Sequence, residues 1–258
     1  MISHQDQNDR AAQFHALHHS PGAPLILYNV WDVASAKAVA KAGAPALASG
    51  SWSLAAAQGY PDGEQIPRGV VMQIAERIAT STSLPFSLDF EGGYADTPAE
   101  LAQHTRDLLA TGVIGINFED RIVSGEGLYP LETQAERINA IRVAADEEGI
   151  NLFINARTDL FFQDNADAHA GLLADGIARA KRYQEAGANG FFAPGLTASP
   201  LIKDLAAASP LPLNLMMAPG QPDIATLATL GVSRISFGPQ PFLDAIAAIR
   251  TRASEIYR

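Results

Sequence analysis

A repeated pattern of glycine followed by a short apolar run constrains the fold of this chain more than any other feature. In each copy, a helix-like stretch ends at glycine, an apolar run follows, and polar or charged residues come next. The glycines that carry the pattern are Gly43, Gly112, Gly149, Gly187 and Gly231. Glycine just past a helix end readily adopts the left-handed conformation that stops the helix and leads the chain into a strand. The pattern therefore predicts helices and strands that alternate along the chain.

Eight short apolar runs have the length and composition of buried strands. Five of them follow those glycines, and the other three lack the glycine. The predicted strands are residues 25–28, 46–48, 86–88, 114–116, 152–154, 191–193, 213–216 and 234–237. The predicted helices between and after them are residues 33–42, 70–80, 98–110, 131–148, 170–186, 200–208, 223–230 and 241–257. Within 131–148 the apolar residues Ala135, Ile138, Ile141 and Ala145 share one helix face.

Eight strands that alternate with eight helices in 258 residues are typical of a (β/α)8 barrel. A doubly wound open sheet is the alternative, but it usually has fewer strands, and no G-x-G-x-x-G motif follows the first strand. We therefore expect a single barrel domain over residues 1–258. An additional helix at 9–17 precedes the first strand and would cover the bottom of the barrel.

The charge balance and the absence of cysteine exclude several functions. The chain has 28 acidic and 18 basic residues, so it offers no broad basic face to nucleic acid. Without cysteine it has no disulfide, no cysteine-ligated zinc and no thiol nucleophile. No apolar run reaches the roughly 18 residues of a membrane span, and the polar residues 1–10 do not resemble a signal peptide. We expect a cytoplasmic protein that binds neither nucleic acid nor membranes.

Polar residues at the ends of the predicted strands indicate where the chemistry lies, because catalytic groups of such barrels come from the C-terminal strand ends. The first five strands are followed by polar or charged residues, and the last three by uncharged Pro-Gly or Gly-Pro pairs. The candidates are Asn29, Asp32, Gly50, Ser51, Asp62, Asp89, Glu91, Asn117, Glu119, Asp120, Asn155, Arg157 and Asp159. We therefore expect a cluster of acids that faces one arginine.

Asp89 and Glu91 are the candidates with the clearest chemical meaning. They are two residues apart after a buried run, which predicts that both lie on one face of a strand. Two inward carboxylates repel each other unless a proton or a cation lies between them, and oxygen ligands suit Mg²⁺ or Mn²⁺. The pair therefore predicts a metal site.

Three other charged candidates have a structural interpretation beside the functional one. Asp32 and Asp120 fit helix caps or solvated loop charges as well as they fit a site. Arg157 either forms an ion pair at the barrel rim with Asp159 or Glu119, or holds a substrate carboxylate or phosphonate with its planar fork of donors.

Gly50 and Ser51 also allow two interpretations. They could simply end a strand. Alternatively, such small residues allow a ligand to approach closely, and their amides could then donate to an oxyanion.

Five short motifs, in order along the chain, resemble the isocitrate lyase/phosphoenolpyruvate mutase superfamily. They are YNVWDVASA at 28–36, GYPDGE at 59–64, DFEGGY at 89–94, GINFED at 115–120 and NARTD at 155–159. The match runs from about residue 25 to 240, which is nearly the whole chain. The resemblance implies a (β/α)8 barrel that exchanges its last helix between subunits, in a homodimer or homotetramer. It also implies Mg²⁺, with Mn²⁺ as a substitute, and α-keto or 2-hydroxy acid substrates.

The resemblance assigns metal roles to four acids. Asp89 would be the direct metal ligand, and Asp62, Glu91 and Glu119 would hold the metal through water. Asp62 and Glu119 would also take part in catalysis.

The resemblance also assigns the substrate contacts. Arg157 and Asp89 would bind the substrate, and Arg157 would also act in catalysis. The amides of Gly50 and Ser51 would hold the carboxylate or the developing enolate.

Three departures from the family pattern limit this transfer. The isocitrate and methylisocitrate lyases carry a Lys-x-Cys-Gly-His loop after the fourth strand, whereas this chain reads RIVSGEGLY at 121–129. The glutamate that those lyases present after the sixth strand is missing, because Pro194 is followed by Gly195. The Lys-Thr-Asn-Ser type of loop found in the mutases is absent as well, so this chain resembles a subgroup without the lyase cysteine loop.

The resemblance implies a Mg²⁺-dependent enzyme that breaks or forms a C–C bond beside an α-keto or 2-hydroxy carboxylate, through a pyruvate-like enolate, as a lyase or decarboxylase. P–C chemistry is the alternative, as a phosphoenolpyruvate or carboxyphosphonoenolpyruvate phosphonomutase or a phosphonopyruvate hydrolase. An alternative of another class is a barrel that only binds a keto acid, and the complete acid set with Arg157 argues against it.

Overall fold

Eight parallel strands form one sheet in this computed structural model, which describes residues 2–20, 22–162 and 165–257. The strands are β1 (Leu25–Leu27), β2 (Leu47–Ala48), β3 (Phe86–Asp89), β4 (Gly115–Glu119), β5 (Phe153–Arg157), β6 (Gly190–Phe192), β7 (Leu213–Met216) and β8 (Arg234–Ser236). From β2 to β8 each strand pairs with the next one in sequence, and β1 pairs with β8. A parallel bridge between Val30 and Ser49 joins the chain just beyond β1 and β2. The predicted (β/α)8 barrel is thereby confirmed.

Helices connect the strands and surround the barrel. They are α1 (His4–Leu17), α2 (Val33–Lys41), α3 (Ser51–Ala57), α4 (Arg68–Ser81), α5 (Pro98–Leu109), α6 (Leu131–Glu147), α7 (His169–Glu185), α8 (Ser199–Ala208), α9 (Ile224–Thr229) and α10 (Gln240–Ile256). Two short 3-10 helices, Leu160–Phe162 and Ala166–Ala168, precede α7. Among the described residues, no helix is long and apolar enough to cross a membrane.

The helix and strand boundaries agree with the sequence pattern to within two residues, except at α1, α3, β4 and β5. The helix α3 is not predicted, because its seven residues follow β2 directly and are too few to show a helical period. The first helix begins at His4 rather than at residue 9, because the side chain of Ser3 accepts a hydrogen bond from the amide of Asp6 and caps it. The strands β4 and β5 each extend three residues beyond the predicted end, to Glu119 and Arg157.

The glycines of the sequence pattern end helices as expected. All five have a positive φ, for example 88° at Gly112 and 104° at Gly187, and the chain turns there into the next strand. Asp32 caps the start of α2, where its carboxylate accepts a hydrogen bond from the amide of Ser35. Of its two interpretations, the structure therefore gives Asp32 the capping role.

The helix α1 closes the bottom of the barrel, as predicted. Phe14 is fully buried and packs edge-on against Phe153 of β5, with ring centroids 5.3 Å apart. The buried side chain of Gln7 donates to the carbonyl oxygens of Leu109 and Val113, both at 2.9 Å. Because these carbonyls belong to the connection between α5 and β4, α1 is fixed to the N-terminal ends of the strands.

His18, at the end of α1, gives the fold a pH-dependent stability. Its ring stacks on Phe153 at 4.0 Å, and its Nδ1 lies 2.7 Å from the Phe14 carbonyl oxygen. Burial, together with the charge of Arg234, lowers the pKa of His18 well below 6.5. In the unfolded chain the same side chain takes up a proton near pH 6.5, so the unfolded state binds more protons as the pH falls. The free energy of unfolding must therefore decrease below about pH 6.5.

We expect His18→Gln to flatten this pH dependence. Its slope of unfolding free energy against pH should be lower than that of the parent by up to about 1.4 kcal/mol per pH unit. Urea unfolding between about pH 7.5 and 5.5 measures the slope. His15, whose pKa burial also lowers, contributes a smaller effect of the same sign in both proteins. His19→Gln, a change at an exposed histidine, is the control; equal slopes in the His18 variant and the parent would contradict this account.

The last helix, α10, contributes little to the core. Only Pro241 and Phe242 of α10 are buried, whereas Ile249 and Ile256 are 65% and 67% exposed. The expected exchange of this helix between subunits remains a prediction.

Candidate active site

The C-terminal strand ends bring the predicted polar residues to one end of the barrel. Asp89 ends β3, Glu119 ends β4 and Arg157 ends β5. A cavity of about 50 Å³ opens beside Asp89 and Arg157. The residues that line it are Asn29, Gly50, Asp89, Asn117, Arg157, Phe162, Phe192, Pro194, Met216, Ser236 and Gly238.

The carboxylate of Asp89 is held in a fixed orientation at the floor of this cavity. Its Oδ2 accepts a hydrogen bond from the amide of Ser51 at 2.9 Å, and its Oδ1 lies 3.4 Å from Nδ2 of Asn117. The Asp89 amide donates to Oγ of Ser49 at 2.9 Å. Asn117 of β4 and the Ser51 amide at the start of α3 therefore fix the side chain that we expect to bind the metal.

The amides of Gly50 and Ser51 both donate to acceptors within the protein. The Ser51 amide donates to Asp89, and the Gly50 amide donates to the carbonyl oxygen of Val30 at 3.3 Å. Gly50 still lines the cavity, where a Cβ atom would come within 3.6 Å of the Gly238 carbonyl oxygen. Their contact with substrate stays a prediction.

Arg157 forms the ion pairs of the structural interpretation and also lines the cavity. Its Nε and Nη2 bind the two oxygens of Asp159 at 2.6 and 2.9 Å, and its Nη1 lies 3.0 Å from Oε2 of Glu119. A guanidinium has five N–H donors, so one N–H remains on each terminal nitrogen. Burial would lower the pKa of Arg157, but the charges of Glu119 and Asp159 outweigh that effect and raise it. The side chain is therefore a permanently charged donor at the C-terminal end of the barrel beside the cavity, which we call the mouth.

Glu119 and Asp62 complete the group of acids that faces the mouth. Burial raises the pKa of Glu119, with the charge of Arg157 opposing the shift. Asp62 lies in the exposed connection between α3 and α4, where partial desolvation and then the charge of Asp89 raise its pKa. These shifts show that the carboxylates are close enough to repel one another.

Glu91 does not lie where the sequence predicts it. The strand β3 ends at Asp89, and Glu91 has a left-handed backbone with φ of 51°, so Asp89 and Glu91 do not share one face of a strand. Its Oε2 accepts hydrogen bonds from the amides of Gly63 and Glu64 at 3.1 and 2.9 Å. Burial, helped by the charges of Asp89 and Asp62, raises the pKa of Glu91 to about 7.

The mouth has the donor chemistry of a Mg²⁺ or Mn²⁺ site. Its groups are carboxylate and amide oxygens. Burial and then the charge of Asp89 raise the pKa of Asp62 and Glu91, and a cation between the carboxylates would offset both effects. Within the described residues, no three acidic or histidine side chains converge closely enough to ligate one ion together. A single direct ligand, Asp89, with water-mediated contacts from the other acids, stays a prediction.

Asp120, the last of the acidic candidates, has a structural role. It is fully buried, and its carboxylate accepts hydrogen bonds from the Asp159 amide, from Arg179 and from the Tyr183 hydroxyl, all at 2.9 Å. Of its two interpretations, the structure therefore favours a buried ion pair that fixes the segment after β5.

Arg234 also belongs to the site, although the sequence pattern did not single it out. This fully buried side chain of β8 lies inside the barrel, and its Nη2 donates to Oδ1 of Asn117 at 3.1 Å. Asn117 in turn faces Asp89. Burial lowers the pKa of Arg234 to about 9, and the charge of Asp89 opposes that shift. The one available signal was a charged residue within an otherwise uncharged strand.

Comparison with known proteins agrees with this geometry. The family model described as phosphoenolpyruvate phosphomutase matches residues 14–257. An uncharacterised protein of Mycobacterium tuberculosis is 36% identical over 230 residues, which cover 89% of this chain and 83% of that protein. The 2-methylisocitrate lyase of Bacillus subtilis is 27% identical over 214 residues, which cover 80% of this chain and 67% of the lyase.

A solved structure resembles the whole barrel. The crystal structure of a provisionally named phosphonomutase from Burkholderia cenocepacia J2315 has a TM-score of 0.93 and 46% sequence identity. The alignment covers 96% of this chain and 99% of that one.

Proposed function

The chain belongs to the phosphoenolpyruvate phosphomutase family, within the isocitrate lyase/phosphoenolpyruvate mutase superfamily, and we propose that it is a Mg²⁺-dependent lyase or decarboxylase. Its substrate would be a small α-keto or 2-hydroxy carboxylate, in which a C–C bond breaks or forms through a pyruvate-like enolate. The observation that carries the proposal is the mouth cavity, where Asp89 and Arg157 meet. Relatives that share the fold are enzymes, and this chain is an enzyme of the same superfamily.

Each charged side chain at the mouth has a definite task in this proposal. Asp89 would bind the metal directly, and Asp62 and Glu119 would hold it through water. When bound, the metal supplies positive charge for the enolate oxygen. Arg157 would donate its two remaining N–H groups to the substrate carboxylate, and Glu119 would orient that guanidinium through the 3.0 Å ion pair.

The opposite wall of the cavity favours C–C chemistry on a substrate with a small apolar substituent. The described residues that β6 to β8 contribute to this wall are uncharged, namely Phe192, Pro194, Met216, Ser236 and Gly238. A phosphonate or an additional carboxylate pointing toward that wall would lose its hydration without gaining a cation. Such a wall supports a substrate whose carboxylates all lie on the side of Arg157 and the metal, with its apolar substituent toward the wall.

P–C chemistry is the second candidate, because the Burkholderia cenocepacia structure with that provisional name is 46% identical to this chain. Segment 121–130 has no lysine to meet a phosphoryl group. Arg121, the basic residue that could replace it, lines a different cavity of about 260 Å³ beside Glu64 and Tyr94. This placement makes P–C chemistry the weaker candidate.

A substrate panel tests the two candidates against each other. The protein is incubated with Mg²⁺ and oxaloacetate, 2-methylisocitrate, 2,3-dimethylmalate, phosphonopyruvate or phosphoenolpyruvate. Pyruvate formation is measured enzymatically, and phosphorus species by ³¹P NMR. Turnover of a carbon acid supports the lyase or decarboxylase, whereas conversion of phosphonopyruvate alone supports P–C chemistry. Absence of any turnover, together with no Mg²⁺-dependent binding of pyruvate or oxalate, would overturn the enzyme proposal for these substrate classes.

We also propose that α10 packs against the barrel of a second copy of this chain, in a homodimer or homotetramer. Leu243, Ile246, Ile249 and Ile256 are all exposed on this helix. Contact with another copy would remove that apolar surface from water, at roughly 25 cal/mol per Å².

Charges on the exposed face of α10 should therefore prevent assembly. We expect the double variant Ile246→Glu/Ile249→Glu to be a monomer by light scattering, while the parent is a dimer or tetramer. The same substitution at Val143, an exposed apolar residue of α6, is the control and should leave the mass unchanged. A monomeric parent protein would contradict the assembly proposal.

A further inference from the structure

Three residues with an unfavourable backbone conformation contact one another beside the mouth. Within the described residues, the non-glycine residues with a left-handed φ are Glu64 at 58°, Glu91 at 51° and Tyr94 at 55°. A side chain makes this conformation unfavourable, so it persists only where surrounding contacts impose it. Three such residues in contact with one another indicate that tertiary contacts impose this backbone conformation here.

Reciprocal hydrogen bonds hold the three residues in place. The carboxylate of Glu91 accepts from the amides of Gly63 and Glu64, and the carboxylate of Glu64 accepts from the Tyr94 amide at 2.7 Å. The Tyr94 hydroxyl then donates to Oε1 of Glu91 at 3.1 Å. Two segments, 62–64 and 91–94, are thereby tied to each other in both directions. We call these two segments the clasp.

The clasp fixes the position of Asp62. This residue lies in the exposed connection between α3 and α4 and directly precedes Gly63, whose amide Glu91 holds. The segment 91–94, in contrast, begins two residues after β3 ends, and its residues Glu91, Gly92 and Gly93 are buried. The Glu119 amide of β4 donates to the Glu91 carbonyl oxygen at 2.9 Å and anchors the segment to the barrel. The clasp therefore ties an exposed loop to a rigid strand end, next to the Asp89 carboxylate.

We propose that Glu64, Glu91 and Tyr94 are positioning residues that hold Asp62 at the barrel mouth. Glu91 acts through the backbone amides of Gly63 and Glu64 and not as a metal ligand. The proposal rests on the proposed function for the part that Asp62 plays in the reaction, whereas the clasp itself does not depend on it.

Segment 121–130 rests on the same clasp. A Cβ atom at Gly92 would lie 2.9 Å from Cγ2 of Val123, and one at Gly63 would lie 3.3 Å from Nη2 of Arg121. Two glycines of the clasp thus allow the segment after β4 to lie directly against it. A disturbed clasp should therefore also loosen segment 121–130.

Hydrogen exchange, measured by mass spectrometry on the full chain without substrate, tests the clasp directly. Glu64→Ala removes the acceptor of the Tyr94 amide, and we expect exchange in peptides covering 59–66 and 91–97 to accelerate about tenfold. Exchange in 121–130 should accelerate as well. Glu64→Gln keeps a side-chain oxygen at the same position and should restore most of the protection. Glu76→Ala, at an exposed carboxylate of α4, is the control.

Kinetics then separate positioning from general stability. With any substrate that the enzyme turns over, Glu64→Ala should lower kcat about tenfold and change KM less than threefold, because Asp62 is misplaced but Arg157 is not. Tyr94→Phe removes only one hydroxyl, so we expect it to lower kcat as well, but by less than Glu64→Ala. Unchanged exchange and unchanged kcat in Glu64→Ala would overturn the proposal.

Glu91→Gln distinguishes a clasp residue from a metal ligand. Its amide oxygen can accept from Gly63 and Glu64, and its amide nitrogen can donate to the Tyr94 hydroxyl oxygen. We expect Mn²⁺ affinity, measured by electron paramagnetic resonance, to stay within about threefold of the parent, whereas loss of a residue that supports the metal typically lowers affinity about 10- to 100-fold. A loss of tenfold or more with normal exchange in 59–66 would show that Glu91 holds the metal and would overturn its assignment to the clasp. Exchange and Mn²⁺ binding need no substrate, so they decide this proposal even if the substrate panel fails.

Discussion

Asp89→Asn is expected to abolish metal-dependent activity while the barrel stays folded. The asparagine oxygen can still accept the hydrogen bond from the Ser51 amide, so the local backbone has no reason to move. What is lost is the negative charge that we expect to bind the metal directly. Since a bound metal stabilises developing charge by several kcal/mol, kcat/KM should fall at least about a thousandfold.

Two measurements without substrate make this prediction independent of the reaction. Mn²⁺ should raise the melting temperature of the parent protein, because a ligand that binds only the folded state stabilises it. The variant should show no such rise and no Mn²⁺ binding by electron paramagnetic resonance. Asp107→Asn, which breaks a surface ion pair with Arg68, is the matched control and should bind Mn²⁺ normally. Normal Mn²⁺ affinity in Asp89→Asn would refute the metal role of Asp89.

The barrel and most of the mouth could be predicted from the sequence because both depend on periodic features. Alternating apolar runs and helix-ending glycines reveal the strand order, and parallel strands necessarily bring their C-terminal ends together. Asp89, Glu119 and Arg157 are therefore found by position alone. The same reasoning left open whether Arg157 pairs with acids or faces the cavity, and the structure shows that it does both.

The position of Glu91 could not be predicted because it depends on one backbone angle. A strand that continued past Asp89 would have placed Glu91 beside it, as the two-residue spacing indicated. The chain instead turns at Glu91, where amides from a segment 28 residues earlier in the chain bind its carboxylate. This contact joins segments that are distant in sequence, so the local sequence pattern cannot predict it.

Arg234 was missed for a related reason. Its sequence neighbours show that it lies in a strand, but the barrel geometry decides that its side chain points inward to Asn117. A buried arginine is costly unless other groups compensate its charge, and here Asp89 lies on the far side of that same asparagine. The network therefore becomes visible only when β3, β4 and β8 are seen together.

Arg157→Lys should reduce substrate affinity much more than a conservative change usually does. Lysine keeps the charge but offers a single compact ammonium in place of a planar fork. It can meet Glu119 or Asp159, which now share one ammonium group, and it has no paired donors left for a substrate carboxylate. Loss of two charge-assisted hydrogen bonds predicts a decrease in kcat/KM of at least about a hundredfold. Most of it should appear in KM, because the carboxylate is bound in both the ground state and the transition state.

The two roles of Arg157 can be separated by comparing KM with stability. Were Arg157 only a rim ion pair, Arg157→Lys would lower the melting temperature and leave KM unchanged, since a lysine would still neutralise Glu119. A substrate-binding role raises KM even where the melting temperature is preserved. Arg68→Lys makes the same exchange in a surface pair with Asp107 and should change neither value. Inhibition by oxalate extends the test beyond turnover, because a carboxylate ligand that uses the same two N–H groups must lose affinity in parallel with the substrate.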